Sequence, residues 1–220
     1  MRRVSTITAL LGAFSLPSTA FGWGHDIAVS ADVRRAATDM AYTTGEVETR
    51  TTQAGVTLFE PSISAFQPGI HFGYLWASQS DNEAVSGLDL QGQYFGINLK
   101  SRLFERSWLG LHFHASYTYM EAKDDIDEQE TRLRWYEAEV AGGPSLNFER
   151  VQLDIGAYYR DIDGEEFATG DLTWTRNFEQ DNDIGAYAEL HYWTDPTGSI
   201  SLRAEGGAYT AFQASFARRF

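Results

Sequence analysis

From Trp108 to Met120 the chain alternates without a slip. Leu109, Leu111, Phe113, Ala115, Tyr117 and Tyr119 fall on one side, and Gly110, His112, His114, Ser116 and Thr118 on the other. Successive side chains of a strand point to opposite faces, so this stretch builds a strand with one apolar and one mostly polar surface. The same period of two recurs in segments of about ten residues along most of the chain. It predicts further strands over 26–34, 47–59, 65–77, 90–104, 132–142, 150–160 and 167–178, a ninth ending at 193, and a closing strand over 209–220. A chain written in this rhythm is all-β, and its apolar faces need cover.

The connections say what covers them. Short turns are expected near 61, 105, 144 and 181, with Glu60-Pro61-Ser62 and Gly142-Gly143-Pro144-Ser145 as turn signals. Longer polar segments fall near 40, 83, 126, 163 and 200. Short periplasmic turns alternating with longer outer loops are the pattern of a transmembrane β-barrel, and only a closed barrel lets strands satisfy their backbone groups in lipid. Five outer and four inner connections predict an antiparallel up-and-down transmembrane β-barrel of ten strands, with both termini on the periplasmic side. Eight strands, with residues 21–60 as an arm or partial plug, is the main alternative, because the first two strands are the weakest. A secreted soluble barrel or sandwich is the other. Trp76, Trp108, Tyr117 and Tyr119 sit toward strand ends, where interfacial belts of a membrane protein place aromatics.

Residues 1–20, MRRVSTITALLGAFSLPSTA, read as a secretory signal. Arg2 and Arg3 form its positive end, Ile7 to Leu16 its apolar run and Ser18-Thr19-Ala20 its cleavage site. Residues 21–220 are then the barrel domain. The apolar run is too short to cross a bilayer as a helix, and no run of about twenty apolar residues follows it. The absence of cysteine excludes disulfide stapling and thiolate-ligated metals. The formal charge of −14 repels phosphates and argues against nucleic acid as a partner.

The closing strand, YTAFQASFARRF from Tyr209 to Phe220, sets Phe212, Ala214, Phe216, Arg218 and Phe220 against Ala211, Gln213, Ser215, Ala217 and Arg219. A terminal aromatic with further aromatics at steps of two resembles the last strand of bacterial outer-membrane barrels. Over the whole mature chain the pattern is similar to the small outer-membrane barrels of OmpA/OmpX and opacity-protein type. The run from Gly73 to Met120, which contains GINLKSRL, looks like the YfaZ-type outer-membrane proteins. The resemblance implies a cell outer-membrane location in a Gram-negative envelope, recognition of the last strand by the barrel-assembly machinery, and contact with outer-membrane lipid and lipopolysaccharide. It implies a monomer. The superfamily spans adhesion proteins, structural barrels, small pores and a few lipid-modifying enzymes, so it does not fix function.

His112, His114 and Ser116 stand at i, i+2 and i+4 on one strand face, and Glu137, Glu139, Asp154, Asp171, Glu189 and His191 are expected to face inward with them. One reading is a lumenal acid–base cluster or a Ser–His–Glu hydrolase; another is zinc held by His112 and His114 with His71 or His191. The plainer reading is favoured: the interior of a small barrel is normally polar and filled by charge pairs. The acidic runs DDIDEQE and DIDGEE suggest solvated surface more than calcium loops, since DIDGEE lacks EF-hand spacing. No catalytic, cofactor-binding or metal-ligating residue is therefore assigned. The expectation is a non-enzymatic barrel with a filled polar interior, structural or engaged in surface interaction. A narrow pore is the first alternative, with inward Gly110 and Gly156 leaving a water path; a lipid-modifying enzyme is the second.

Overall fold

The computed structural model describes residues 27–220, apart from 61–65, 81, 83–84, 86–87, 107, 127–128 and 181–182. The expected signal segment, 1–20, lies outside the described residues. Eleven strands occur among them: β1 Ala28–Tyr42, β2 Gly45–Phe59, β3 Phe66–Gln79, β4 Leu90–Arg106, β5 Leu109–Ile126, β6 Gln129–Phe148, β7 Val151–Thr169, β8 Trp174–Gln180, β9 Ile184–Trp193, β10 Gly198–Gly207 and β11 Thr210–Arg219. Strands β1 to β7 pair in sequence, β7 passes to β9, then β10 and β11 follow. β11 returns to β1 from Ala28↔Arg219 to Ala37↔Thr210. The result is a closed antiparallel ring of ten strands, which leaves no sheet edge in the wall.

The eight-strand alternative fails for this ring, because β1 and β2 are full members of it. An eight-strand ring does exist higher up. β9, β10 and β11 have ten residues each, and ten residues tilted by about 40° climb about 25 Å, one membrane thickness. β6 and β7 have 20 and 19 and continue far beyond. Over that extension β8 replaces the three short strands: it pairs with β7 from Asp163↔Glu179 to Ala168↔Trp174 and with β1 from Met40↔Gln180 to Tyr42↔Phe178. A ten-strand barrel thus narrows to an eight-strand turret of β1 to β8.

Several expected boundaries move for the same reason. Residues 161–166 form no loop but lie inside β7, and 123–126 and 129–130 belong to β5 and β6. The expected strand 167–178 is broken at 170–173. The stretch near 181 is no periplasmic turn, because β8 and β9 both run antiparallel to β7. The periplasmic turn is Thr194–Thr197, and the expected loop near 200 is strand β10. In that turn Asp195 Oδ1 accepts hydrogen bonds from the Thr197 and Gly198 amides at 2.8 and 2.9 Å; the bonding from Thr197 leads in holding its carboxyl below the usual range. The Gly-Gly-Pro-Ser signal lies inside β6, and the chain turns later, at Glu149 (φ 46°) and Arg150. Gly143 serves strand packing instead: a Cβ there would lie 2.0 Å from the Ile155 carbonyl oxygen.

The outer surface of the ring is apolar. Phe95 is 61% exposed, and Ile70, Phe72, Ile97, Val140, Ile155, Leu190 and Leu202 around the ring are exposed as well. Aromatics bound the band toward the turret: Tyr74 and Trp76 lie 6.1 Å apart, and Tyr117 stacks on Tyr136 at 5.7 Å. Above them the outward positions turn charged, with Glu121 bonded to Arg134 at 3.3 Å on β5 and β6 and Asp161, Asp163 and Glu165 exposed on β7. An apolar band with an aromatic border is the surface of a wall that faces lipid.

Inward glycines are filled by aromatics from the neighbouring strand of the same hydrogen-bonded row. Trp135, Gly164 and Phe178 form such a row across β6, β7 and β8, and the two rings meet over the glycine at 6.5 Å. A Cβ on Gly164 would lie 2.4 Å from Phe178. Gly156 faces Tyr187 in the same way, at 2.9 Å, so it leaves no water path. Gly164→Val is expected to lower barrel stability by about 1–3 kcal/mol through overpacking, measured as the urea midpoint of the detergent-folded protein.

Candidate functional site

The interior has three layers, set by which inward residues each strand supplies at each height. In the turret an apolar cluster packs inside the tube: Met40, Leu75, Leu90, Met120, Leu133, Trp135, Ile162 and Phe178 are each at most 2% exposed. Above it Glu166, fully buried, accepts from Asn82, the Trp174 indole and Arg176 at 2.7, 2.6 and 2.6 Å.

Below the apolar layer a buried ionic layer crosses the lumen. Arg34 on β1 reaches Glu137 on β6 at 3.3 Å, and these strands are half the ring apart. Its other nitrogen meets Glu205 at 3.0 Å and the Tyr209 hydroxyl at 2.8 Å. Arg160 donates to Glu137, Arg203 to Glu139 at 3.0 Å, and Tyr209 to Glu205 at 2.6 Å. The guanidinium of Arg160 also lies 4.0 Å from the Tyr209 ring centroid. Such a layer holds because every buried charge has an opposite partner.

Toward the periplasm the lumen opens into a polar chamber of about 390 Å³. It gathers His71, His112, His114, Ser116, Glu137, Glu139, Asp154, Glu189 and His191, as the period-two pattern requires. Asp171 is the exception: it lies exposed in the 170–173 connection. Gathering is not yet chemistry. His112 Nδ1 lies 3.0 Å from Ser145 Oγ and 3.8 Å from Asp154 Oδ1, while Nε2 meets the Tyr187 hydroxyl. A Ser–His–carboxylate relay needs serine and carboxylate on opposite ring nitrogens, and here they share one. His114 faces Glu139 at 3.7 Å, but Ser116 is the next inward position on the same strand, about 7 Å along it. His191 Nε2 sits 3.3 Å from Asp154 and 3.4 Å from Glu189. Among the described residues no three His, Asp or Glu side chains converge in a way that holds a metal ion. The segment 161–166 alternates inward and outward along β7, so it has no calcium-loop geometry.

Sequence reasoning missed the ionic layer. Arg203 and Glu205 lie in a segment expected to be a loop, and Tyr209 at its exit. The inward parity of Arg34, Glu137 and Glu139 was readable, but their height in the barrel depends on register.

No protein-family model matches the chain, and no curated protein matches its sequence. Among solved structures it is similar to the translocator domain of the autotransporter NalP from Neisseria meningitidis, with TM-score 0.54, 11% identity, and 97% of this chain and 95% of that one covered. It is also similar to the outer membrane protease OmpT from Escherichia coli, with TM-score 0.51, 9% identity and coverage of 91% and 96%. At these identities the likeness concerns the fold. Closed ring, apolar band, aromatic border and structural likeness agree: the chain is a small β-barrel with the outer-membrane fold.

Proposed function

We propose that the protein is a sealed, non-enzymatic outer-membrane barrel, structural or engaged in surface interaction through its turret. The observation that carries this reading is the apolar layer from Met40 to Phe178, which draws buried side chains from all eight strands of the turret. Hydrophobic constrictions block ions by excluding water, and the ionic layer beneath adds a strut from wall to wall. The arrangement around His112 supports a structural use of the histidines. The reading includes outer-membrane lipid and lipopolysaccharide against the exposed belt, assembly through β11, and a monomer. The turret would present mostly acidic outward faces to the surroundings.

The test is single-channel recording in a planar bilayer, with refolded protein whose gel mobility changes on heating. A silent trace from heat-modifiable protein is expected. Discrete, reproducible current steps would make the barrel a pore and overturn the reading.

A further inference from the structure

The apolar belt is not an even surface: a groove of about 980 Å³ crosses its outer face from β3 to β7. The pairing register builds it. One hydrogen-bonded row carries Ile70, Ile97 and Tyr117 on β3, β4 and β5, and its next two members are Ala138 and Asp161 on β6 and β7. The row one step toward the periplasm carries Leu99, Ala115, Val140 and Tyr159 on β4 to β7. Ile70, Ile97 and Tyr117 form one wall, Val140 and Tyr159 the other, and each is about half exposed. Leu99, Ala115 and Ala138 lie lower, half-buried, and make the floor. Two alanines set diagonally between large neighbours leave a trough where the rest of the belt is filled.

The groove has a direction and a charged end. Asp161 lies where β7 passes from β9 to β8, the level at which ring gives way to turret, so the β7 end opens at the outer membrane surface. The β3 end lies deeper in the belt. Four strand spacings and the step between rows make the path about 20 Å long, close to one extended acyl chain. At the open end Asp161 and Asp183 both act through space on the hydroxyl of Tyr159. Neither carboxylate makes an ion pair among the described residues. Arg134, an outward cation on adjoining β6, is bonded to Glu121 at 3.3 Å. A bare phosphate is repelled by this end, whereas an ammonium meets two carboxylates and the faces of Tyr117 and Tyr159. An apolar trough below a cation-seeking lip fits one molecule that carries both a chain and an amine.

We propose that this groove seats one lipid whose headgroup bears an ammonium, its acyl chain along Leu99, Ala115 and Ala138 and its ammonium at Asp161 and Asp183. The proposal rests on the outer-membrane reading and adds a selected lipid to it. Its test reads lipid retention, not current or gel mobility, so either can fail alone.

The experiment is native mass spectrometry of the folded full chain released from detergent, with palmitoyl-oleoyl phosphatidylethanolamine as probe. Phosphatidylglycerol with the same chains, which lacks the ammonium, is the comparison. A single phosphatidylethanolamine is expected to stay bound, at about threefold or more the occupancy of phosphatidylglycerol, the size of an exposed charge pair. Asp161→Asn with Asp183→Asn is expected to remove that preference, and Glu48→Gln, on β2 and outside the groove, to keep it. Ala138→Trp fills the floor and is expected to abolish retention of both lipids while heat modifiability stays intact. Equal retention of the two lipids by the native chain, a preference that survives the double substitution, or unchanged retention in Ala138→Trp would each overturn the proposal. A dimer of the native chain that Ala138→Trp dissociates would assign the groove to a second copy and overturn it too. If Ala138→Trp failed to fold, the two lipids on the native chain would still decide it.

Discussion

Glu137→Gln is expected to lower the stability of the folded barrel by about 3–5 kcal/mol, the usual loss when one partner of a buried ion pair is removed. Two guanidinium groups converge on this carboxylate, and they do not lose equally. Arg34 keeps Glu205 and Tyr209. Arg160 is 3% exposed, and its Nε and Nη1 make no hydrogen bond among the described residues. Its bond to Glu137 and the face of Tyr209 are what offset its burial. A neutral amide leaves that cation in low dielectric with no carboxylate bonded to it, and Glu139 acts on it only through space. Changing both partners, Glu137→Leu with Arg160→Met, removes the desolvated charges together and is expected to recover most of the loss. Glu48→Gln breaks a pair that is solvent-exposed on both sides, Arg50 to Glu48 at 2.8 Å, and is expected to leave the urea midpoint unchanged. If Glu137→Gln moves the midpoint no more than Glu48→Gln, the ionic layer is hydrated and the lumen is wet at that height.

The contrast between those two pairs shows what could be read from the chain alone. Period-two alternation put Glu137 and Glu139 inside and Tyr136 and Val140 outside, and the structure agrees, because a strand has only two faces. Alternation carries no information about height. Whether Glu137 meets Arg34, 103 positions away, depends on register through five strand pairs, each set by packing between strands. The glycine rows failed to show for the same reason: Gly164 reads as a gap until Trp135 and Phe178 are placed beside it. The turret was hidden by its composition. Polar runs such as DIDGEE look like loops when strands are expected to be lipid-facing, yet above the membrane a strand can be polar outward and still pair. Once the strands outgrow the bilayer, loop length no longer counts crossings.

The apolar layer is expected to be the seal, and opening it should have the larger functional effect. Trp135→Ser with Phe178→Ser is expected to turn a silent barrel into one with resolvable current steps. These two rings span β6 to β8, and Phe178 also meets Tyr42 on β1 at 5.3 Å, so together they cover the bore along the β6–β1 side of the turret. Truncating a large buried aromatic costs about 3–5 kcal/mol, but the wall's backbone ladder, closed through β8 in the turret, does not depend on either side chain. Serine hydroxyls let water enter where a dry cavity would stay empty, and a wetted constriction stops excluding ions. The ionic layer below is expected not to hold the current back, since charged groups hydrate readily once water reaches them from both sides. Glu137→Gln tests that division of labour: it weakens the strut and leaves the rings in place, so it should destabilise the barrel and remain silent. Steps from Glu137→Gln, or silence from a heat-modifiable Trp135→Ser, Phe178→Ser barrel, would move the seal from the apolar layer to the ionic one.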